Sequence, residues 1–205
     1  MNQILKTGAA VLLVVLASAT ARRLSDDPTG HIKVRPDFKV EHLFSPSKAG
    51  MGSWVSMTFD HRGRLITSDQ YGSLYRLSFS ANNSSPEIER LALENDTLNI
   101  GAAQGLLWAS NALYLVVNNR PSERLRRKSG LYKLEDTDQN DRFDKITLLK
   151  ELQGEGEHGP HSIISSPDGL SLYVISGNHT DAPEMDSYLL PKTWQHDNLY
   201  PFIKD

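Results

Sequence analysis

The sequence predicts an all-β fold: a β-propeller of about three blades, and therefore an incomplete one. Three observations predict it. A strand-turn-strand phrase returns three times along the chain, each copy rich in β-branched and aromatic residues around a turn that Asn, Gly or Asp-Gly can form cheaply. With Leu65, Leu113 and Leu172 taken as equivalent, the copies are spaced 113 − 65 = 48 and 172 − 113 = 59 residues apart, against about 40–45 for a four-stranded blade before loop insertions. Helical periodicity is weak outside the first residues. A β-sandwich or meander with fortuitously similar hairpins is the other reading of the same pattern.

Residues 1–21 read as an export signal: Lys6 supplies an early positive charge, 7–16 form a short apolar run, and Ala17-Ser18-Ala19 and Ala19-Thr20-Ala21 both fit the small-x-small rule for cleavage. The apolar run is shorter than the roughly 20 residues that span a bilayer. The expected mature chain has 205 − 21 = 184 residues, is secreted or periplasmic, and has no membrane association after cleavage. Residues 22–33, polar with Pro28 and Gly30, read as a linker. The partial propeller is expected over 34–205.

The first phrase runs over 54–60, turns at His61-Arg62-Gly63, and continues through 64–69 and, after Gly72, 73–77. Pro86 to Leu98 allows a strand and polar loop or a turn of helix. The second phrase covers 103–109 and 112–117 around Ser110-Asn111, with 131–134 following a polar insertion over 118–129 that explains the larger spacing. The third covers 159–165 and 171–177 around Pro167-Asp168-Gly169. Trp54, Trp108, Tyr75, Tyr114, Tyr132 and Tyr173 recur at matching strand positions, as packing residues do.

Composition narrows the function classes. Hydrophobic residues are 39% and charged residues 23%, which excludes disordered, collagen-like and coiled-coil classes. Lys+Arg 22 against Asp+Glu 25 leaves a net charge of −3, so no global field draws the chain to nucleic acid. With no cysteine, disulfides, thiolate metal sites, a cysteine nucleophile and covalent haem are excluded, and any redox chemistry needs a non-covalent cofactor. No phosphate loop or nucleophile elbow is present.

Several constellations carry chemistry. Asp136, Asp138, Asn140 and Asp144 have the alternating oxygen spacing of a calcium loop, although Asp141 stands where a Gly makes the sharp turn and Thr147 where a Glu closes the site. A calcium site and a solvated acidic turn both fit. His158, His161 and His179 offer imidazoles for one metal ion or for loop hydrogen bonds, and Pro160 prevents a helical ligand spacing. Arg120, Arg124, Arg126, Arg127 and Lys128 form a basic cluster, read as a solvated hairpin tip or a docking patch. Asn83, Asn95 and Asn178 begin glycosylation sequons by pattern alone.

The segments Gly52-Ser53-Trp54-Val55-Ser56-Met57-Thr58-Phe59-Asp60, Ala103-Gln104-Gly105-Leu106-Leu107, and Gly156-Glu157-His158-Gly159-Pro160-His161 through Gly177-Asn178-His179-Thr180 resemble the glucose/sorbosone dehydrogenase-like six-bladed propellers. They look closest to the large secreted forms that often continue into a cytochrome c domain. The resemblance covers about 40–178, the amino-terminal half of such a propeller. It implies a quinoprotein oxidoreductase that takes a small sugar or aldehyde substrate, uses pyrroloquinoline quinone with calcium, and passes electrons to a cytochrome c acceptor. His158, nine residues before the Pro167-Asp168 turn, would be the general base that accepts the hydroxyl proton, a task suited to imidazole near neutral pH. Asn178 would orient it in place of the family's acidic partner, and His161 falls in the cofactor-contacting segment, where Pro160-His161-Ser162 replaces the family's Gly-Gly-Arg. The alternative is a non-catalytic propeller that binds a carbohydrate, a protein or a redox partner. A closed propeller needs at least four blades, so the expectation is a fragment unlikely to be active alone.

Overall fold

The computed structural model describes residues 28–70, 72–80, 85–93, 101–119 and 127–181. The expected signal, the sequon asparagines 83 and 95, the arginines at 120, 124 and 126, and the segment after 181 lie outside those residues. The chain divides into two units, Met1–His42 and Leu43–Asp205. In the first, Pro28–His31 forms a 3-10 turn within the segment read as a linker. Among the described residues the second holds every strand, and the first strand starts at Trp54, well after the expected onset near Val34. Among the described residues no helix is long and apolar enough to cross a membrane.

The described residues are all-β and form three antiparallel sheets, none of them closed. Strands β1 (Trp54–Phe59), β2 (Leu65–Asp69), β3 (Leu74–Ser78) and β4 (Glu87–Leu91) form a meander in chain order. A second meander repeats it with β5 (Ala103–Ala109), β6 (Ala112–Val117), β7 (Gly130–Glu135) and β8 (Lys145–Glu151). The third sheet is the pair β9 (Pro160–Ser165) and β10 (Leu172–Ser176). The segment after Pro86 therefore takes its strand reading, whereas β8 extends the second phrase by an element the sequence did not announce.

The turns follow from backbone chemistry. Gly63 and Gly169 hold φ +74° and +71° in the first and third hairpins, while Ser110 and Asn111 take φ 47° and 58° in the two-residue turn of the second. The first strands stack in order: β5 packs against β1 on one side and β9 on the other. Alternation assigns the faces. Thr58 Oγ1 accepts a hydrogen bond from the Trp108 amide at 3.1 Å and Ser68 Oγ donates to Ala103 O at 2.7 Å, so these residues face the second sheet. The core lies in that junction, with Ile66, Leu74 and Leu91 from the first sheet against Leu106, Leu113, Leu115, Tyr132 and Leu134 from the second. Burial of such side chains contributes roughly 1.5–3 kcal/mol each. A parallel bridge pairs Leu93 with Phe143 at the edge of the same core.

The recurrent aromatics divide. Trp54 stacks between Phe44 and Tyr75 with ring centroids 5.3 and 5.5 Å away, and Trp108 stacks on His61 at 5.3 Å. Tyr132 is buried and donates its hydroxyl to Lys128 O. Tyr173, by contrast, is exposed on the open face of the third sheet.

Candidate functional site

Each sheet carries one extra residue at the same place. Pairing shifts between Trp54 and Ser56 opposite Asp69 and Ser68, between Ala103 and Gly105 opposite Val117 and Val116, and between Pro160 and Ser162 opposite Ser176 and Ile175. The bulged residues are thus Val55, Gln104 and His161, the second residue of each first strand. A bulge bends its strand and re-aims the extra side chain. Directly beyond, the chain closes each mouth in the same way: Gln70 N donates to Ser53 O at 2.8 Å, Asn118 N to Ala102 O at 2.9 Å, and Gly177 N to Gly159 O at 3.1 Å. Gln104 Nε2 reaches Gln70 O at 3.1 Å and ties the first mouth to the second.

At the third mouth stand the histidines that the sequence singles out. His158 Nδ1 lies 2.7 Å from Asn178 Oδ1. An amide oxygen only accepts, so Nδ1 carries the proton and the lone pair of the neutral ring sits on Nε2. His161 Nδ1 lies 2.6 Å from Gly159 O, which fixes the same tautomer. The His158 ring also stacks on His179, with centroids 4.8 Å apart and planes at 26°. Main-chain approach makes this possible: the His179 amide donates to His158 O at 3.1 Å, and a Cβ on Gly177 would lie 2.5 Å from that oxygen. Asn118, a residue the sequence reading placed only in an insertion, donates from Nδ2 to Gly156 O at 2.7 Å and packs its amide where a Gly159 Cβ would be. The Asn118 Oδ1 atom is buried without a partner. Only the polar identity of Asn118 at a strand end hinted at this in the sequence.

His179 also lines a half-open cleft of about 480 Å³, with Asn119, Ser129, Lys128, Glu151, Glu155 and Asp181 on its walls. Asn119 and Ser129 are buried and bonded to one another, the Asn119 amide donating to Ser129 Oγ at 2.9 Å. The lysine is paired with Glu151 at 3.2 Å. Such walls suit a neutral polyhydroxylated ligand. They do not suit a tricarboxylate quinone, because three carboxylates and one paired lysine oppose rather than neutralise its charge.

The acidic loop is closed by its own hydrogen bonds. Asp136 accepts from the amides of Asn140 and Asp141 at 3.0 and 2.8 Å, and Asp138 accepts from Asn140 Nδ2 at 3.0 Å. Asp144 accepts from the hydroxyl and amide of Thr137, which hold its carboxyl below the usual range. Among the described residues no three His, Cys, Asp or Glu side chains gather as a metal-binding group, and this includes His158, His161 and His179. The residue that looked out of place, Asp141, is the anchor of the loop. Arg64 grips its two carboxylate oxygens at 2.6 Å each, and Arg76 and Arg62 add contacts at 2.9 and 3.1 Å. The loop thus docks on the first sheet. The Arg64 hydrogen bonds, with Arg76 and Arg62 behind them, bring the Asp141 pKa down to about 2.

No family model, no curated protein and no solved structure matches this chain.

Proposed function

We propose that the chain is an exported propeller arc of the glucose/sorbosone dehydrogenase-like kind, acting on a sugar or aldehyde, with His158 as the proton acceptor. Consecutive four-stranded meanders stacked through their first strands, with a bulge repeated at one position, support the propeller reading. The single observation that carries the chemical reading is the 2.7 Å contact between His158 Nδ1 and Asn178 Oδ1. It holds the ring in the tautomer whose Nε2 accepts a proton from a substrate hydroxyl. Asn178, being neutral, orients the ring without stabilising an imidazolium as a carboxylate would.

A quinone, when bound, supplies the hydride acceptor. The acidic walls of the cleft beside His179 do not fit that group. Calcium at Asp136, Asp138, Asn140 and Asp144 would take the lone pairs that these side-chain oxygens keep beside the amide hydrogen bonds Asp136, Asp138 and Asp144 already accept. A second reading, carbohydrate binding without turnover, is favoured by the polar, acidic cleft beside His179.

Dye-linked oxidation of a sugar panel, after incubation with pyrroloquinoline quinone and calcium, separates the two readings. On the oxidoreductase reading, His158→Ala lowers kcat/KM about 10²–10⁴-fold, the range of a lost general base. Turnover unchanged by that substitution overturns the assignment of His158. Sugar binding by calorimetry with no turnover selects the binding module.

A further inference from the structure

The bulges give the three sheets a common numbering, and that numbering exposes a match between the two ends of the stack. Counting from the bulged residue, Met57, Leu106 and Ile163 are equivalent, as are Phe59 and Trp108. These side chains point toward the preceding sheet. In the second and third sheets they are covered, Leu106 being 6% and Ile163 4% exposed, whereas Met57 on the first sheet is 68% and Phe59 59% exposed. Phe44 and Trp54 shelter only the Tyr75 end of that face.

The opposite faces behave in the same way. Ser68, Val116 and Ile175 are equivalent and point toward the following sheet, as are Ile66, Tyr114 and Tyr173. Ser68 and Val116 are fully buried, whereas Ile175 is 62% exposed, with Tyr173 and Ile164 open beside it. Single exposed apolar residues need no explanation, but two contiguous faces do when the equivalent positions are buried or half-buried in both internal junctions.

We infer that these two faces are the halves of one intermolecular junction, filled by a second copy of this chain docked head to tail. The Ile164, Tyr173 and Ile175 face of one copy packs on the Val55, Met57 and Phe59 face of the next. The warrant is continuity with the internal junctions, since the chain already builds this packing twice, from the same strand positions. The contact is heterologous, and such contacts close into rings when the rotation allows. Two copies bring together six of the described sheets, within the roughly four to eight blades of closed propellers.

Light scattering coupled to size exclusion tests this on the full chain, using Met57→Lys, which blocks one face, and Ile175→Lys, which blocks the other. Both positions are exposed in the single copy, and circular dichroism checks that each variant keeps its strands. The expected result is a wild-type mass of twice the monomer, a monomer for each variant alone, and recovery of a dimer when the two variants are mixed, because each retains the face the other lacks. A monomeric wild type overturns the inference, as it would if further sheets of a longer polypeptide or another protein cover these faces. An oligomer that survives both substitutions, or a mixture that stays monomeric, overturns it too.

Discussion

Asp141 shows how one side chain decides what its loop is for. Its sequence neighbours carry cation-ligand spacing, yet its own carboxylate is held by three arginines from the first sheet, and Arg64 and Arg76 are largely buried there. Asp60, itself buried, accepts from the other edge of Arg64 at 2.8 Å, and Glu89 pairs with Arg76 at 2.7 Å, so the network is balanced in charge. Nothing near position 141 in the sequence names Arg64 or Arg76, 77 and 65 residues away, so this docking was not legible. Because the folded pKa is depressed to about 2 from an ordinary 3.8, the stabilisation is present above pH 4 and is lost as pH falls through 2. After allowing for solvent screening at this partly exposed carboxylate, about 1–2 kcal/mol is at stake. Urea midpoints measured from pH 5 down to about 2 are expected to fall with this contribution, and Asp141→Asn is expected to lower the midpoint at pH 5 and to flatten the acid-side slope. A variant with the parent's acid profile would show that the three arginines gain nothing from the charge.

Strands and hairpins were the most legible features, because period-two alternation and turn chemistry are local. Leu65-Ile66-Thr67 and Leu113-Tyr114-Leu115 announce β2 and β6 without any partner. The outer strands were harder to read. β4 (Glu87–Leu91) is mostly charged and β8 (Lys145–Glu151) is mostly exposed, so neither shows a clean apolar face. The bulges were also invisible, since register depends on which residues pair across the sheet. The resemblance singled out His158 and Asn178 by residue type and place in the chain, but their 2.7 Å contact depends on how closely β5, β9 and the Gly177 turn approach one another. Gly105 sets part of that approach: a Cβ there would lie 2.4 Å from His161 O and 3.1 Å from Ser162 Cα, both backbone atoms that cannot swing aside. Gly105→Ala is expected to push β9 off β5 and destabilise the protein by about 1–3 kcal/mol. It is also expected to perturb the His161 ring signals in an NMR spectrum. An alanine variant with parental melting and unchanged imidazole shifts would mean that the two strands are less tightly opposed than this contact requires.

Across the molecule, apolar burial is uneven, and stability should follow it. The main core joins the first two sheets, running from Ile66 and Leu74 through Leu113, Leu115 and Val117 to Leu134 and Phe143. Losing any one large member of it, as in Leu113→Ala, is the kind of change that costs about 2–5 kcal/mol, so these sheets should open together. The β9 and β10 pair lacks outer strands among the described residues and contributes Pro160 and Ile163 as its buried apolar side chains. Local opening needs less free energy where few apolar contacts are lost. Amide hydrogen exchange on the Met57→Lys variant, in which docking between copies is blocked, is therefore expected to show the slowest exchange in β6 and β7 and faster exchange throughout β10. Raising the wild-type concentration is expected to slow β10 selectively, because a second copy then covers Tyr173 and Ile175. If β10 in that variant is protected as strongly as β6, the third sheet draws its stability from something other than the packing described here, and the two-tier picture of the fold fails.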